Sequence, residues 1–145
     1  MSSFTWRQWP RFQASLAIFS ALMASCSEEL PRPAAKLARV SGRIIEGTRS
    51  VGGGWIEFVP VDGTLGRLRS APIAADGSFS ADGVGVGPNS IGLVDIPSSV
   101  PGARRIFDTL GTTIRRDIGP DGDASLIVNL YDEVARYQAL TKSAR

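Results

Sequence analysis

The chain has one cysteine, Cys26, and no histidine. A lone thiol closes no internal disulfide and builds no thiolate metal cage. The missing histidine removes the commonest general base and metal ligand near neutral pH. An enzyme built from the remaining residues would depend on carboxylates, a Ser/Lys pair or a metal. Asp121 and Asp123 in "GPDGDAS" distantly resemble a calcium loop, but the third acid and the closing glutamate are missing. Asp62, Asp76 and Asp82 each precede a glycine, which is ordinary turn chemistry. Lys36 and Lys142 are the only lysines, and both fall outside the expected core. No phosphate-cradling loop or nucleophile elbow is present. The expectation is therefore no catalytic residue, no metal and no cofactor. Trp55, after Gly52-Gly53-Gly54, is the candidate ligand-binding residue: an indole on an exposed parity can stack on a sugar or a peptide.

The charge of the whole chain is +2, but Arg7 and Arg11 stand in the first 25 residues with no acid beside them. Beyond residue 25, 14 basic and 14 acidic side chains balance. No overall basic field is left for nucleic acid, and the pairs Arg104-Arg105 and Arg115-Arg116 are diluted by Asp95, Asp108 and Asp117. No nucleic-acid partner is expected.

The elements around Cys26 say more than its chemistry alone. "MSSFTWRQWPRFQ" is polar and basic, and "ASLAIFSALMAS" is a 12-residue apolar run. A bilayer span needs roughly 20 residues. The h-region of a secretory signal needs roughly 7–15. Small residues, Ala24 and Ser25, stand directly before Cys26. The stretch Met23-Ala24-Ser25-Cys26 resembles the lipobox of bacterial lipoproteins, with Met in the place where Leu is more usual. The resemblance implies cleavage before Cys26, diacylation of its thiol, and a bilayer as the first partner. It also explains a single cysteine at this point. Each buried CH2 of an acyl chain contributes about 0.8 kcal/mol, so two or three chains hold firmly. The implied location is the extracytoplasmic side of a bacterial membrane, either the outer membrane or the periplasm-facing inner one. Ser27, where Asp would favour inner-membrane retention, leans to the outer. Residues 27–37, "SEELPRPAAKL", read as a tether.

From residue 38 the pattern is that of short strands. "ARVSGRII" alternates Val40, Gly42 and Ile44 against Arg39, Ser41 and Arg43. In "WIEFVPV", Ile56 and Phe58 take one face and Trp55, Glu57 and Val59 the other. "RLRSAPIA" is a weaker strand, and Asp76-Gly77 between Ile73 and Phe79 predicts a hairpin. "GVGVGPN" reads as a loop before the strand "SIGLVDI". Residues 96–111 read as a loop that docks through Ile106, Phe107 and Leu110. "TTIRRDI" and "ASLIVNLY" complete about seven strands, the last with Leu126, Val128 and Leu130 on one face. A β-sandwich with Greek-key connections is the expectation.

Val40-Ser41-Gly42, Ile56-Glu57-Phe58-Val59-Pro60 and Ala75-Asp76-Gly77-Ser78-Phe79 resemble successive motifs of carboxypeptidase regulatory-like domains. That likeness covers residues 38–94 and departs at Pro88-Asn89 and Ile91, where the family has Pro-Gly and often Tyr. It implies a transthyretin-like (prealbumin-like) sandwich, usually an accessory module without chemistry.

In 131–145, "YDEVARYQALTKSAR", Val134, Tyr137 and Leu140 fall on one helical stripe, with Asp132 and Glu133 in the first turn. So short a helix must pack, on the sandwich or in a partner's groove. The predicted organisation is a signal peptide at 1–25, a tether at 26–37, an all-β seven-stranded sandwich at 38–131, and a C-terminal helix and tail at 132–145. The predicted role is a membrane-anchored, non-catalytic interaction or structural module of the cell envelope, with an envelope protein as partner. The rival role is a lipoprotein that binds carbohydrate or peptide through Trp55 and the 96–111 loop.

Overall fold

The computed structural model describes residues 33–107 and 114–144. Met23, Ala24, Ser25 and Cys26 lie outside the described residues, as does Leu110. The compact unit from Ala34 onward is mostly β.

Its strands are β1 (Leu37–Glu46), β2 (Arg49–Ser50), β3 (Trp55–Pro60), β4 (Arg69–Pro72), β5 (Ser78–Gly85), β6 (Gly87–Val94), β7 (Arg115–Ile118) and β8 (Asp123–Asn129). Among the described residues two helices accompany them: α1 (Ala103–Phe107), between β6 and β7, and α2 (Leu130–Ser143), after β8. The eighth strand among the described residues is the two-residue β2, formed inside a stretch that reads as a turn-rich link. No helix among the described residues is long and apolar enough to cross a membrane.

One sheet is centred on β1. β5 and β8 both pair with Val40, Gly42 and Arg43, while β2 and β8 both pair with Ile45. A strand has two edges, so β5 and β2 share one and β8 holds the other. The β1–β8 pair is parallel and the others are antiparallel. The second sheet runs β4-β3-β6-β7, antiparallel throughout. Val40, Ile44, Phe79, Leu126 and Val128 of the first sheet and Ile56, Phe58, Ile91, Leu93 and Ile118 of the second are buried in one core. Phe58 and Phe79 meet across it, ring centroids 6.2 Å apart. The parity predicted for β1, β3 and β6 is the parity buried.

Gly42 shows why one β1 position must lack a side chain. A Cβ there would stand 1.9 Å from the Leu126 carbonyl oxygen of β8.

Two expectations need correction. Asp76-Gly77 does make a closed turn: Gly77 N–H donates to Ala74 O, and Ala74 N–H donates to Ser78 O. Its arms, however, do not form a hairpin, because β4 belongs to one sheet and β5 to the other. The core-facing residues on either side, Ile73 and Phe79, enter different layers. The "GVGVGPN" segment is not a loop. β5 runs to Gly85, β6 starts at Gly87, and the chain changes sheet across Val86 alone. Gly87 takes φ +121°, and the Asn89 side-chain amide donates to the carbonyls of Gly85 and Gly87, holding the corner.

α2 begins at Leu130, where Asn129 caps it by accepting the Tyr131 N–H. The Asn129 carboxamide also accepts the Gly47 N–H, tying the cap to the β1–β2 turn. The helix buries Leu130, Glu133 and Val134. Tyr137 and Leu140, read from the sequence as a packing stripe with Val134, are exposed. Every residue of α2 from Ala135 onward is exposed, so the helix leaves the sandwich after its first turn.

Candidate functional site

The end of the sandwich opposite the start of β1 gathers the groups with most chemical content. Glu46 closes β1 on the core-facing parity and is 5 % exposed. A carboxylate so placed needs partners, and the loop after β6 supplies them. Ser98 Oγ donates to Glu46 Oε1 at 2.6 Å, and the Ser99 N–H donates to the same oxygen at 2.8 Å. Ser99 Oγ donates to Oε2 at 2.8 Å, and the Arg49 guanidinium completes the shell at Oε2. Burial pushes the carboxyl up, but the hydrogen bonds from Ser98, Arg49 and Ser99 outweigh it and hold it at about 2. A carboxylate held there is a fixed anion and a poor base at neutral pH. Its work is to pin a loop. Ser98 Oγ in turn accepts the Val100 N–H, which seats Val100 and Ile96 in the core.

Trp55 lies at this same end. It opens β3 between Pro72 of β4 and Val94 of β6, with its side chain 48 % exposed. The preceding Gly54, at φ +78°, packs so closely that a Cβ would lie 2.4 Å from the Val94 carbonyl oxygen. A Cβ on Gly53 would stand 3.7 Å from the ring of Pro97. The glycine run before Trp55 and the loop after β6 are thus neighbours. The loop continues through α1, which buries Ala103 and Phe107.

A second buried carboxylate, Glu133, holds α2. It is 2 % exposed; Arg116 of β7 donates to its Oε1 at 2.6 Å and Arg136 at 3.1 Å. Arg115 pairs with Asp62. The Arg115-Arg116 cluster is therefore spent on internal ion pairs.

The turn aspartates do turn work. Asp123 Oδ1 accepts the Ser125 N–H at 2.8 Å. Asp76 Oδ1 accepts both the Ser78 hydroxyl and its N–H, which, with Arg43 nearby, hold its carboxyl below the usual range. Asp82 pairs with Arg39. No group of three or more potential metal ligands occurs among the described residues. An open hollow of about 420 Å³ is lined by Ser41, Arg43, Ser78, Ser125 and Ile127, and another of about 380 Å³ by Lys36, Asp62, Thr64, Leu65 and Pro88. Trp55 lines neither of them.

Sequence reasoning passed over Glu46 and read Glu133 only as a first-turn acid suited to the helix dipole. The signal for Glu46 was its parity: it continues the Val40, Gly42, Ile44 series. The signal for Glu133 was its place between Leu130 and Val134 on one helical face.

Compared with known proteins, the chain matches no family model, no curated protein and no solved structure.

Proposed function

We propose that the chain is a membrane-anchored lipoprotein whose β domain is a non-catalytic interaction or structural module on the extracytoplasmic side of a bacterial membrane. The observation that carries this reading is the tetrad Met23-Ala24-Ser25-Cys26 directly behind a 12-residue apolar run, with the first strand starting only at Leu37. The carboxypeptidase regulatory-like, transthyretin-like resemblance implies a sandwich, and the described residues form two β-sheets around one core. Seven longer strands in two layers suit a sandwich, while the parallel return of β8 beside β1 departs from an all-antiparallel Greek key. Both buried carboxylates are committed to arginine and hydroxyl partners, which suits a structural role better than a catalytic one. The partners are the bilayer, through acylated Cys26, and an envelope protein.

The test is Cys26→Ala. Wild-type protein should extract with membranes and carry the mass of its acyl chains, and the variant should appear in the soluble fraction. A variant that stays with the membrane would refute the anchor.

A second reading is favoured by one observation: the half-exposed Trp55 beside a loop held rigid by Glu46. Here the protein binds a glycan or peptide at that end. After cleavage before Cys26, Trp55 is the single tryptophan, so its emission reports binding directly. Titration with cell-wall fragments and glycans should shift it, and a flat response throughout would rule this reading out.

A further inference from the structure

We infer that the end of the sandwich where the chain enters β1 rests on the lipid surface, with Leu37, Leu65 and Leu68 dipping among the headgroups. This rests on the acyl anchor at Cys26 proposed above. The three leucines are 49, 46 and 45 % exposed. They come from separate segments that converge at one end. Leu37 opens β1 and pairs with Gly85, the last residue of β5. The Leu65 backbone lies against that same glycine, where a Cβ would stand 2.7 Å from the Leu65 carbonyl oxygen. Leu68 directly precedes Arg69, which opens β4 and donates from Nε to the Gly83 carbonyl of β5. The exposed aromatics Trp55 and Tyr131 sit at the opposite end, at the start of β3 and just past the end of β8.

The length of the tether selects the occupant. Eleven Cα-to-Cα steps, across the ten residues 27–36, separate Cys26 from Leu37. Fully extended they span at most about 40 Å. A domain of this size has a radius of gyration of about 13 Å. The anchor therefore holds the entry end within about one domain width of the bilayer. At that range a contact too weak to recruit a free protein is still occupied, because the surface is presented at high effective concentration.

Charge at this end is mixed. Lys36 and Asp62 line one hollow here, Arg69 donates to a backbone carbonyl, and Asp62 is already paired with Arg115. The contact is thus apolar in origin, needs no anionic lipid and resists salt.

The experiment uses the full chain, expressed with its leader, extracted from membranes and reconstituted into phosphatidylcholine vesicles containing bromine-labelled acyl chains. Its mass reports whether residues 1–25, which include Trp6 and Trp9, are gone. Wild type, whose indole is Trp55, is compared with Leu65→Trp in a Trp55→Phe background. Leu68→Trp in the same background is a second probe at a different exposed site. The indoles introduced at the entry end should lose most of their emission to the brominated lipid, at low and high salt alike, while Trp55 keeps its own. Equal quenching at both ends, or none at either, in vesicle-bound protein would overturn the lipid contact and leave the anchor standing. Protein that does not float with vesicles would overturn the anchor, and this inference with it.

Discussion

Glu46 and Glu133 are buried to the same degree, yet they hold opposite kinds of structure. Glu46 ends a strand and gathers a loop: two serine hydroxyls, one backbone amide and one arginine converge on it. Glu133 sits in the first turn of a helix and is held by two arginines on a single oxygen. Around Glu46 most of the neutralisation comes from dipoles. Around Glu133 it comes from opposite charge. Loss of a dipole leaves a charge under-solvated, whereas loss of the central carboxylate at Glu133 leaves arginines with no counter-charge. The difference predicts which clamp is the more costly to break.

The largest effect should follow Glu133→Ala. It strands Arg116, whose side chain is only 23 % exposed, and costs about 3 kcal/mol by comparison with other broken buried pairs. For a domain of this size the thermal midpoint should fall on the order of 15 °C. Loss of helical circular dichroism should accompany it, because beyond Leu130 and Val134 little else docks α2. A loss under about 1 kcal/mol would mean that Leu130 and Val134 hold the helix alone and that the ion triad is incidental.

Glu46→Gln should come next, at about 2 kcal/mol, since the open outer side around Arg49 screens part of the interaction. The folded carboxyl lies at about 2, below its ordinary 4.5. Its stabilisation is therefore complete above about pH 4.5 and is lost as pH falls toward 2. Urea melts of wild type and variant should run parallel above pH 5 and converge between pH 4.5 and 2. Curves that stay parallel through that window would show that Glu46 is not the group being titrated. Hydrogen exchange should place the damage in residues 96–100 and leave α2 protected.

Ser98→Ala removes one of four donors and should cost about 1 kcal/mol. Its value is in the contrast: a dipole-built clamp should degrade by steps, a charge-built one at once.

Much of this architecture was legible from alternation. Val40/Ile44, Ile56/Phe58 and Ile91/Leu93 announced their buried faces, because a pleated strand allows no other reading of a period of two. Sheet membership was not legible. Asp76-Gly77 encodes a turn, but whether its arms pair or part depends on what each can bury against, and β5 found β1 while β4 found β3. Gly85 and Gly87 likewise do not encode a change of sheet until the Asn89 amide binds both carbonyls. The clamps were hidden for a related reason. A glutamate reads as surface until its partners, 52 residues away for Ser98 and 17 for Arg116, are brought to it by the fold.

The smallest effect tests where the helix clamp ends. Val134, Tyr137 and Leu140 share a stripe in sequence, but only Val134 is buried, and Leu140 is 57 % exposed. A side chain this exposed loses little on truncation, so Leu140→Ser should change stability by less than about 0.5 kcal/mol in dilute protein. The comparison becomes informative in membranes. If the same substitution is silent in isolated protein but weakens crosslinking to an envelope protein in cells, the clamp at Glu133 acts as a mount. It would fix one turn of α2 on the sandwich so that the free turns present Tyr137 and Leu140 outward. If it is silent in both settings, the helix is held for the sake of the sandwich, and its outer turns carry no load.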